Sequence, residues 1–179
     1  MVLLADIKKD LPAWPDNVIK QCLVHLANRD STGWPPPEPL GQHPWTYILG
    51  HRPLSWWKEV TWEQKSMDCS FSKLAKATRK IVNEVIADVN SATPDANTKA
   101  RYNNALHHIL NHATFEQPLV AMALPGDGLS VIDGNHRISA FCSLQTMPPE
   151  RFEKHKLQKP EPTQQVWVGT HARGEVPLD

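Results

Sequence analysis

Apolar residues recur every three or four positions in several stretches of the chain. This is the spacing of helices that bury one face and expose the other. The predicted helices are, in chain order, residues 15–29, 71–90, 96–113 and 135–145.

Capping and helix-breaking residues mark the ends of these helices. Asp16 is the predicted N-cap of the first helix, and Ser70 or Ser72 is that of the second. Thr93-Pro94-Asp95 separates the second helix from the third, because proline disfavours helix in the residue before it. The predicted buried stripe of the second helix consists of Leu74, Ile81, Val82, Val85 and Val89.

Shorter runs of β-branched and aromatic residues, bounded by turn-forming residues, predict strands. They lie at residues 58–66, 118–124, 129–133 and 164–170, and the Pro-Gly-Asp-Gly segment between the second and third predicts a tight hairpin turn. The expected fold class is α+β: a small mixed sheet with the helices 71–90 and 96–113 packed on it. Residues 148–162 are predicted to be a polar excursion before the last strand.

The segment 31–45 is rich in proline and predicts extended chain. Several tryptophans surround it, which favours a strap that packs on the domain over a flexible linker. We therefore expect an N-terminal helix and strap over residues 1–57 and an α+β domain over residues 58–179.

The composition describes an ordinary soluble globule, because 40% of the 179 residues are hydrophobic and 21% are charged. Lys+Arg and Asp+Glu both number 19, so the net charge of zero argues against a general nucleic-acid coat. The three cysteines, Cys22, Cys69 and Cys142, are far apart and indicate a reducing compartment. We find no signal peptide or transmembrane span in the sequence, so a cytoplasmic protein without membrane contacts is expected.

The most informative stretch is Asp133-Gly134-Asn135-His136-Arg137, where a buried strand passes into a helix. The N–H groups at the helix start have no partners within the helix, and Gly134 allows a tight turn and a close approach to the backbone. His136 and Arg137 place cations at the positive end of the helix dipole, which is unfavourable unless an anion binds there. Phosphate is the simplest such anion. The alternative is that Arg137 pairs with Asp133 and the turn has only a structural role.

Other constellations in the sequence also have two interpretations. His108 and His112, with His107 beside them, have a spacing that suits a metal, but surface histidines are the simpler interpretation. The cationic face of the second helix could contact phosphates or could simply be solvated; it consists of Lys73, Lys76, Arg79 and Lys80. Candidate carboxylates for a base or a magnesium ligand are Glu63, Asp68 and Glu116.

The hairpin and turn, QPLVAMALPGDGLSVIDGNHRISAF, resemble the core of the ParB/sulfiredoxin-like superfamily. In that superfamily a strand of the type Pi.V leads through a turn to..vidG.HR..A at a helix start. The resemblance covers about residues 113–170. The matching residues are Pro118, Leu119, Val120, Val131, Ile132, Asp133, Gly134, Asn135, His136, Arg137 and Ala140.

The resemblance implies binding of a nucleotide, ATP or CTP, with its phosphates on Gly134, Asn135, His136 and Arg137, and possible use of Mg²⁺. It also implies catalytic roles for Asp133, His136 and Arg137 in phosphoryl transfer to a small-molecule or protein acceptor, or in hydrolysis. The alternatives are a non-enzymatic nucleotide sensor and a DNA-binding or nuclease module, with nucleic acid less favoured. Asn135 stands where sulfiredoxin has its reactive cysteine, which disfavours sulfinic-acid reduction. Plasmid partition is disfavoured too, because the ParB clamps have Gly-Glu-Arg-Arg at this turn and continue into a DNA-reading domain.

Overall fold

The computed structural model describes residues 1–29 and 32–177. In this part of the chain four strands form one mixed sheet in the order β1-β4-β2-β3, and helices pack on it, so the α+β prediction is confirmed. The strands are β1 (Val60–Asp68), β2 (Leu119–Leu124), β3 (Gly128–Asp133) and β4 (Thr163–His171). Each overlaps one of the four predicted strands within two residues at either end.

The helices lie before β1, between β1 and β2, and between β3 and β4. They are α1 (Leu4–Asp10), α2 (Asp16–Ile19, the π-helical turn Lys20–Val24 and His25–Ala27), α3 (Trp45–Ile48), α4 (Leu54–Trp57), α5 (Lys76–Val89), α6 (Ala96–His112), α7 (Asn135–Gln145) and α8 (Pro149–Lys154). A 3₁₀ turn, Phe71–Lys73, precedes α5. No helix in the described residues is both long and apolar enough to cross a membrane.

The chain divides into two compact units, one formed by Met1–Glu63 with the chain from Val168, the other by Gln64–Trp167. The first is therefore discontinuous in sequence, whereas the predicted organisation was continuous, with residues 1–57 followed by 58–179. Strands β1 and β4 each contribute residues to both units.

Tryptophan rings form much of the core of the first unit. Trp45, Trp56 and Trp57 are buried. Trp14 contacts Trp57 edge to face at 5.7 Å between ring centroids, and its indole N–H donates to the Trp57 carbonyl at 3.1 Å. Of the predicted strap, Ser31 lies outside the described residues.

The second unit contains the hairpin and the helices around it. Strand β2 pairs antiparallel with β3, with Met122 opposite Ser130 and Leu124 opposite Gly128. Although β3 is the edge strand of the sheet, two of its outward-facing backbone groups form hydrogen bonds with residues outside the sheet. The Thr78 hydroxyl accepts from the Val131 N–H at 2.9 Å, and the Leu129 carbonyl accepts from the Ala75 N–H at 2.8 Å.

The predicted N-terminus of the second helix, residue 71, is wrong. Leu74 and Ala75 are extended, with ψ of 145° and 154°, so the helix begins at Lys76. Neither Ser70 nor Ser72 caps it. The 3₁₀ turn and the extended pair that follows let Leu74 bridge to β3, and this tertiary contact overrides the local helical pattern. Of the predicted stripe, Leu74 and Val82 are buried, whereas Ile81, Val85 and Val89 are half-buried.

Two other predictions need adjustment. The N-cap of α2 is Pro15, and Asp16 is its first helical residue. The polar excursion contains α8, which begins at Pro149 and buries Phe152. The prediction for 96–113 is accurate, because Asp95 caps α6 by accepting from the Thr98 N–H at 2.7 Å.

Candidate functional site

The turn between β3 and α7 depends on glycine. Gly134 has φ of +106°, a backbone conformation that side chains disfavour. A Cβ there would lie 2.5 Å from Leu119 Cδ2 and 2.9 Å from Arg137 Nη2. The chain therefore needs glycine both for its dihedral angles and for the close approach of two side chains.

The Arg137 guanidinium packs over Gly134 and forms an ion pair with Asp133. Arg137 Nη2 donates to Asp133 Oδ2 at 2.7 Å, one helical turn away, and both side chains are largely buried, with exposures of 19% and 30%. The Asp133–Arg137 pairing that the sequence left open is therefore present. The room beside Gly134 is taken at least in part by this guanidinium.

A cavity of about 360 Å³ opens at the turn. Two guanidinium groups and one imidazole line it: Arg137 and His136 from α7, and Arg101 from α6. Two carboxylates, Glu116 and Asp133, line it as well. The remaining lining residues are Asn104, Ala105, Ile109, Phe115, Ile132, Gly134 and Asn135.

The electrostatics of this cavity favour a neutral His136 in the absence of an anion. Burial lowers the pKa of His136 below its ordinary value of 6.5, and the charge of Arg101 lowers it further. Asp133 acts in the opposite direction, and Arg137 again lowers the pKa. Burial is thus the main reason that this imidazole resists protonation, and the two guanidinium groups add to it.

Two polar atoms of the turn are buried and lack hydrogen-bond partners in the described structure: Asn135 Oδ1 and Arg137 Nε. Such atoms are costly in a folded protein, and a polar ligand that bonded to them would remove this cost. Nearby, the Ser139 hydroxyl donates to the Asn135 carbonyl at 2.7 Å, so the first turn of α7 is otherwise well bonded.

All five predicted site residues line one cavity, and so does one of the three carboxylates, Glu116. Asp68 instead accepts from the Ser70 N–H at 2.8 Å. Hydrogen bonding from the Ser70 side chain first, and then from this N–H, lowers the Asp68 pKa. Glu63 belongs to the first unit.

His108 and His112 contact each other on α6. The His108 and His112 rings lie 4.4 Å apart between centroids. Within the described residues no group of three or more His, Cys, Asp or Glu side chains has the arrangement needed for a metal ion.

The sequence reasoning missed Arg101 and Asn104. The four-residue spacing of Arg101, Ala105 and Ile109 does indicate that these residues share one face of α6. The sequence alone does not determine which face of α6 meets the turn, and the structure provides this by packing α6 against α7.

Comparison with protein-family models, with curated proteins and with solved structures found no match. The resemblance to the ParB/sulfiredoxin-like superfamily therefore rests on the hairpin and turn residues alone.

Proposed function

We propose that this protein is a ParB/sulfiredoxin-like nucleotide-binding protein, whose Asp133–Arg137 turn binds phosphate and supports ATP-type phosphoryl transfer or hydrolysis. The observation that carries the proposal is the convergence of two guanidinium groups, Arg101 and Arg137 from two different helices, together with His136 on a cavity at the start of α7. A helix start with free N–H groups and nearby guanidinium groups is a favourable environment for phosphate.

Each residue would have a distinct role. Arg101 and Arg137 would neutralise phosphate oxygens, and Asn135 with the first N–H groups of α7 would hold them. Asp133 would keep the guanidinium of Arg137 in place, because a guanidinium has five N–H donors and can serve a carboxylate and a phosphate together. His136, held neutral by its surroundings, would act as a hydrogen-bond donor or an acid–base group.

The carboxylates of the cavity suit a magnesium ion that arrives with a nucleotide. Mg²⁺ usually takes one or two carboxylates together with substrate phosphates, and Glu116 and Asp133 supply oxygen ligands of that kind. Bound Mg²⁺ would neutralise phosphate charge. Glu116 is also the available general base for an acceptor hydroxyl or water.

Binding can be tested by thermal shift with ATP, ADP, CTP, GTP and short DNA, each with and without Mg²⁺. A nucleotide at a hundred times its Kd should stabilise the fold by about 2.7 kcal/mol. Arg137→Ala and Arg101→Ala should each weaken binding by about ten- to a hundredfold, because a charge-assisted contact is lost. Arg137→Lys should rescue only part of it, since lysine keeps the charge but lacks the fork.

Arg151→Ala is the matched control, because Arg151 is an exposed arginine on α8. It should leave nucleotide affinity unchanged. The purely structural interpretation of the Asp133–Arg137 pair makes the opposite prediction: Arg137→Ala lowers the melting temperature of the free protein and leaves nucleotide affinity as it was. Turnover of the bound nucleotide then separates an enzyme from a sensor.

A further inference from the structure

A second feature of the Gln64–Trp167 unit lies along helix α5. Its exposed side carries Lys76, Lys80, Asn83 and Ala87, which are spaced so that they lie on one helical face about 16 Å long. An open groove along this face is also lined by Phe71, Arg79 and one carboxylate, Glu84. We call Phe71, Lys76, Arg79, Lys80 and Asn83 the basic surface.

The cations of the basic surface stand at the unfavourable end of their helix. Lys76, Arg79 and Lys80 occupy the first five residues of α5, and its first turn contains no acidic residue. Positive side chains near a helix N-terminus are disfavoured by the helix dipole. Asp127, at the hairpin tip, offsets part of this cost by accepting from the Lys76 N–H at 3.2 Å and lying 3.9 Å from Arg79.

The remaining cationic charge is accessible to a partner. The Lys76 ammonium has no ion pair among the described residues. Lys80 pairs with Glu84 at 3.8 Å, but both side chains are exposed, at 78% and 62%, and such pairs contribute little.

Phe71 adds an aromatic ring to this charge. Its side chain is 39% exposed, although most large apolar side chains of the unit are buried. The 3₁₀ turn Phe71–Lys73 places the ring in the same groove as Lys76 and Lys80. A row of cations beside an exposed ring suits a chain of phosphates whose bases are free to stack.

We propose that the basic surface binds single-stranded nucleic acid, with Lys76, Arg79 and Lys80 on phosphates and a base on Phe71. A duplex would leave the ring without an unpaired base, and an acidic peptide would not require the ring. The zero net charge of the chain is compatible with this proposal, because the attraction is local and therefore sensitive to salt.

Fluorescence anisotropy with a labelled oligothymidylate at low salt tests this inference. Each phosphate contact to a single strand contributes about 0.7 to the slope of log affinity against log salt, so Lys76→Gln with Lys80→Gln should reduce that slope by about 1.4. Phe71→Leu should weaken binding about five- to a hundredfold, because stacking is lost while apolar packing is kept, and Phe71→Trp should retain binding.

The control is Lys58→Gln with Lys154→Gln, two exposed lysines outside the basic surface, which should change neither affinity nor slope. The proposal is overturned if the oligothymidylate does not bind at low salt, or if the control pair weakens it equally. It is also overturned if Phe71→Leu binds the oligothymidylate like the parent protein and polyglutamate or anionic vesicles displace the oligothymidylate fully. Charge alone would then explain the binding. The proposal does not depend on the nucleotide site.

Discussion

At the level of single residues, Arg137 illustrates how one side chain can serve both the fold and a ligand. Its guanidinium covers Gly134 and holds Asp133 at 2.7 Å, while its Nε atom is buried without a partner. Asp133 offsets the unfavourable placement of a cation at the start of α7, for which the sequence had offered either a bound anion or this carboxylate. The pair can stabilise the free protein and position the guanidinium for phosphate.

His136 provides a pH-dependent test of the same cavity. Its pKa lies below 6.5 in the folded protein, because of burial first and then Arg101. The unfolded chain therefore binds this proton more tightly, so the stability gained from neutral His136 is complete above pH 6.5 and is lost as the pH falls through the lowered value. A bound dianion should raise the pKa, and anion binding should therefore strengthen as the medium becomes more acidic.

The measurement is an NMR titration of the His136 ring with and without sulfate, which stays a dianion in this range. His136→Gln identifies the signal by its disappearance. A midpoint above 6.5 in the free protein would contradict the predicted direction, and a midpoint unchanged by saturating sulfate would separate His136 from the anion site.

At the level of elements, the edge strand β3 relies on helix α5 for its outer hydrogen bonds. Thr78 is buried and its hydroxyl accepts from the Val131 N–H. Thr78→Val keeps the shape and leaves that N–H buried without a partner, so we expect the free energy of unfolding to fall by about 1–3 kcal/mol. Urea denaturation measures the change.

Thr78→Ser is the matched variant, because it keeps the hydroxyl and removes one methyl group. It should cost about 1 kcal/mol or less, so valine should be the more damaging substitution. The opposite order, with valine as stable as threonine, would mean that the hydrogen bond contributes nothing and that packing alone holds β3.

Elements with dense local signals could be predicted from the sequence. The β2–β3 hairpin has two apolar runs around Pro-Gly-Asp-Gly, and α6 has a proline break before it and Asp95 as its cap. The start of α5 could not be predicted, because its first turn is displaced by the contact between Leu74 and Leu129, which are 55 positions apart in sequence. Helix α1 was missed because its single buried residue, Ile7, gives almost no periodic signal.

The candidate site was predictable only as far as the turn itself. Its five residues are consecutive, so their proximity follows from the sequence. Arg101 reaches the cavity through the packing of α6 against α7, and a local pattern contains no information about that packing. Glu116 was one of three candidate carboxylates, and the sequence did not select among them. The sequence likewise did not decide whether the partner of Arg137 is a carboxylate or a bound anion.

At the level of the whole molecule, the two units have cores of different character. Tryptophans are prominent in the first, whereas the core of the second consists largely of aliphatic residues with Phe115, Phe141 and Phe152. Each core also contains buried cysteine: Cys22 in the first unit, and Cys69 and Cys142 in the second. These thiols are therefore natural reporters for the opening of each unit.

The cysteines should react with iodoacetamide only when their unit unfolds. Burial raises the pKa of both Cys69 and Cys142 to about 12, and the negative charge of Asp68 also raises that of Cys69. Because the thiolate is the nucleophile, only about one thiol in ten thousand would be ionised at pH 8 even if reagent could enter. Cys22 is 5% exposed, so access limits its reaction as well.

Mass spectrometry of the native protein at pH 8 should therefore show almost no adduct, and protein in urea should carry three. Ser91→Cys is the positive control, since Ser91 is exposed and a cysteine there should react at once. At intermediate urea, the order of labelling of Cys22 and Cys142 reports which unit opens first. A single fast, stoichiometric adduct on native protein would contradict the prediction. If the adduct mapped to Cys142, about two turns into α7, it would identify an activated thiol there. Sulfinic-acid reduction, which Asn135 disfavours, would then become a candidate activity again.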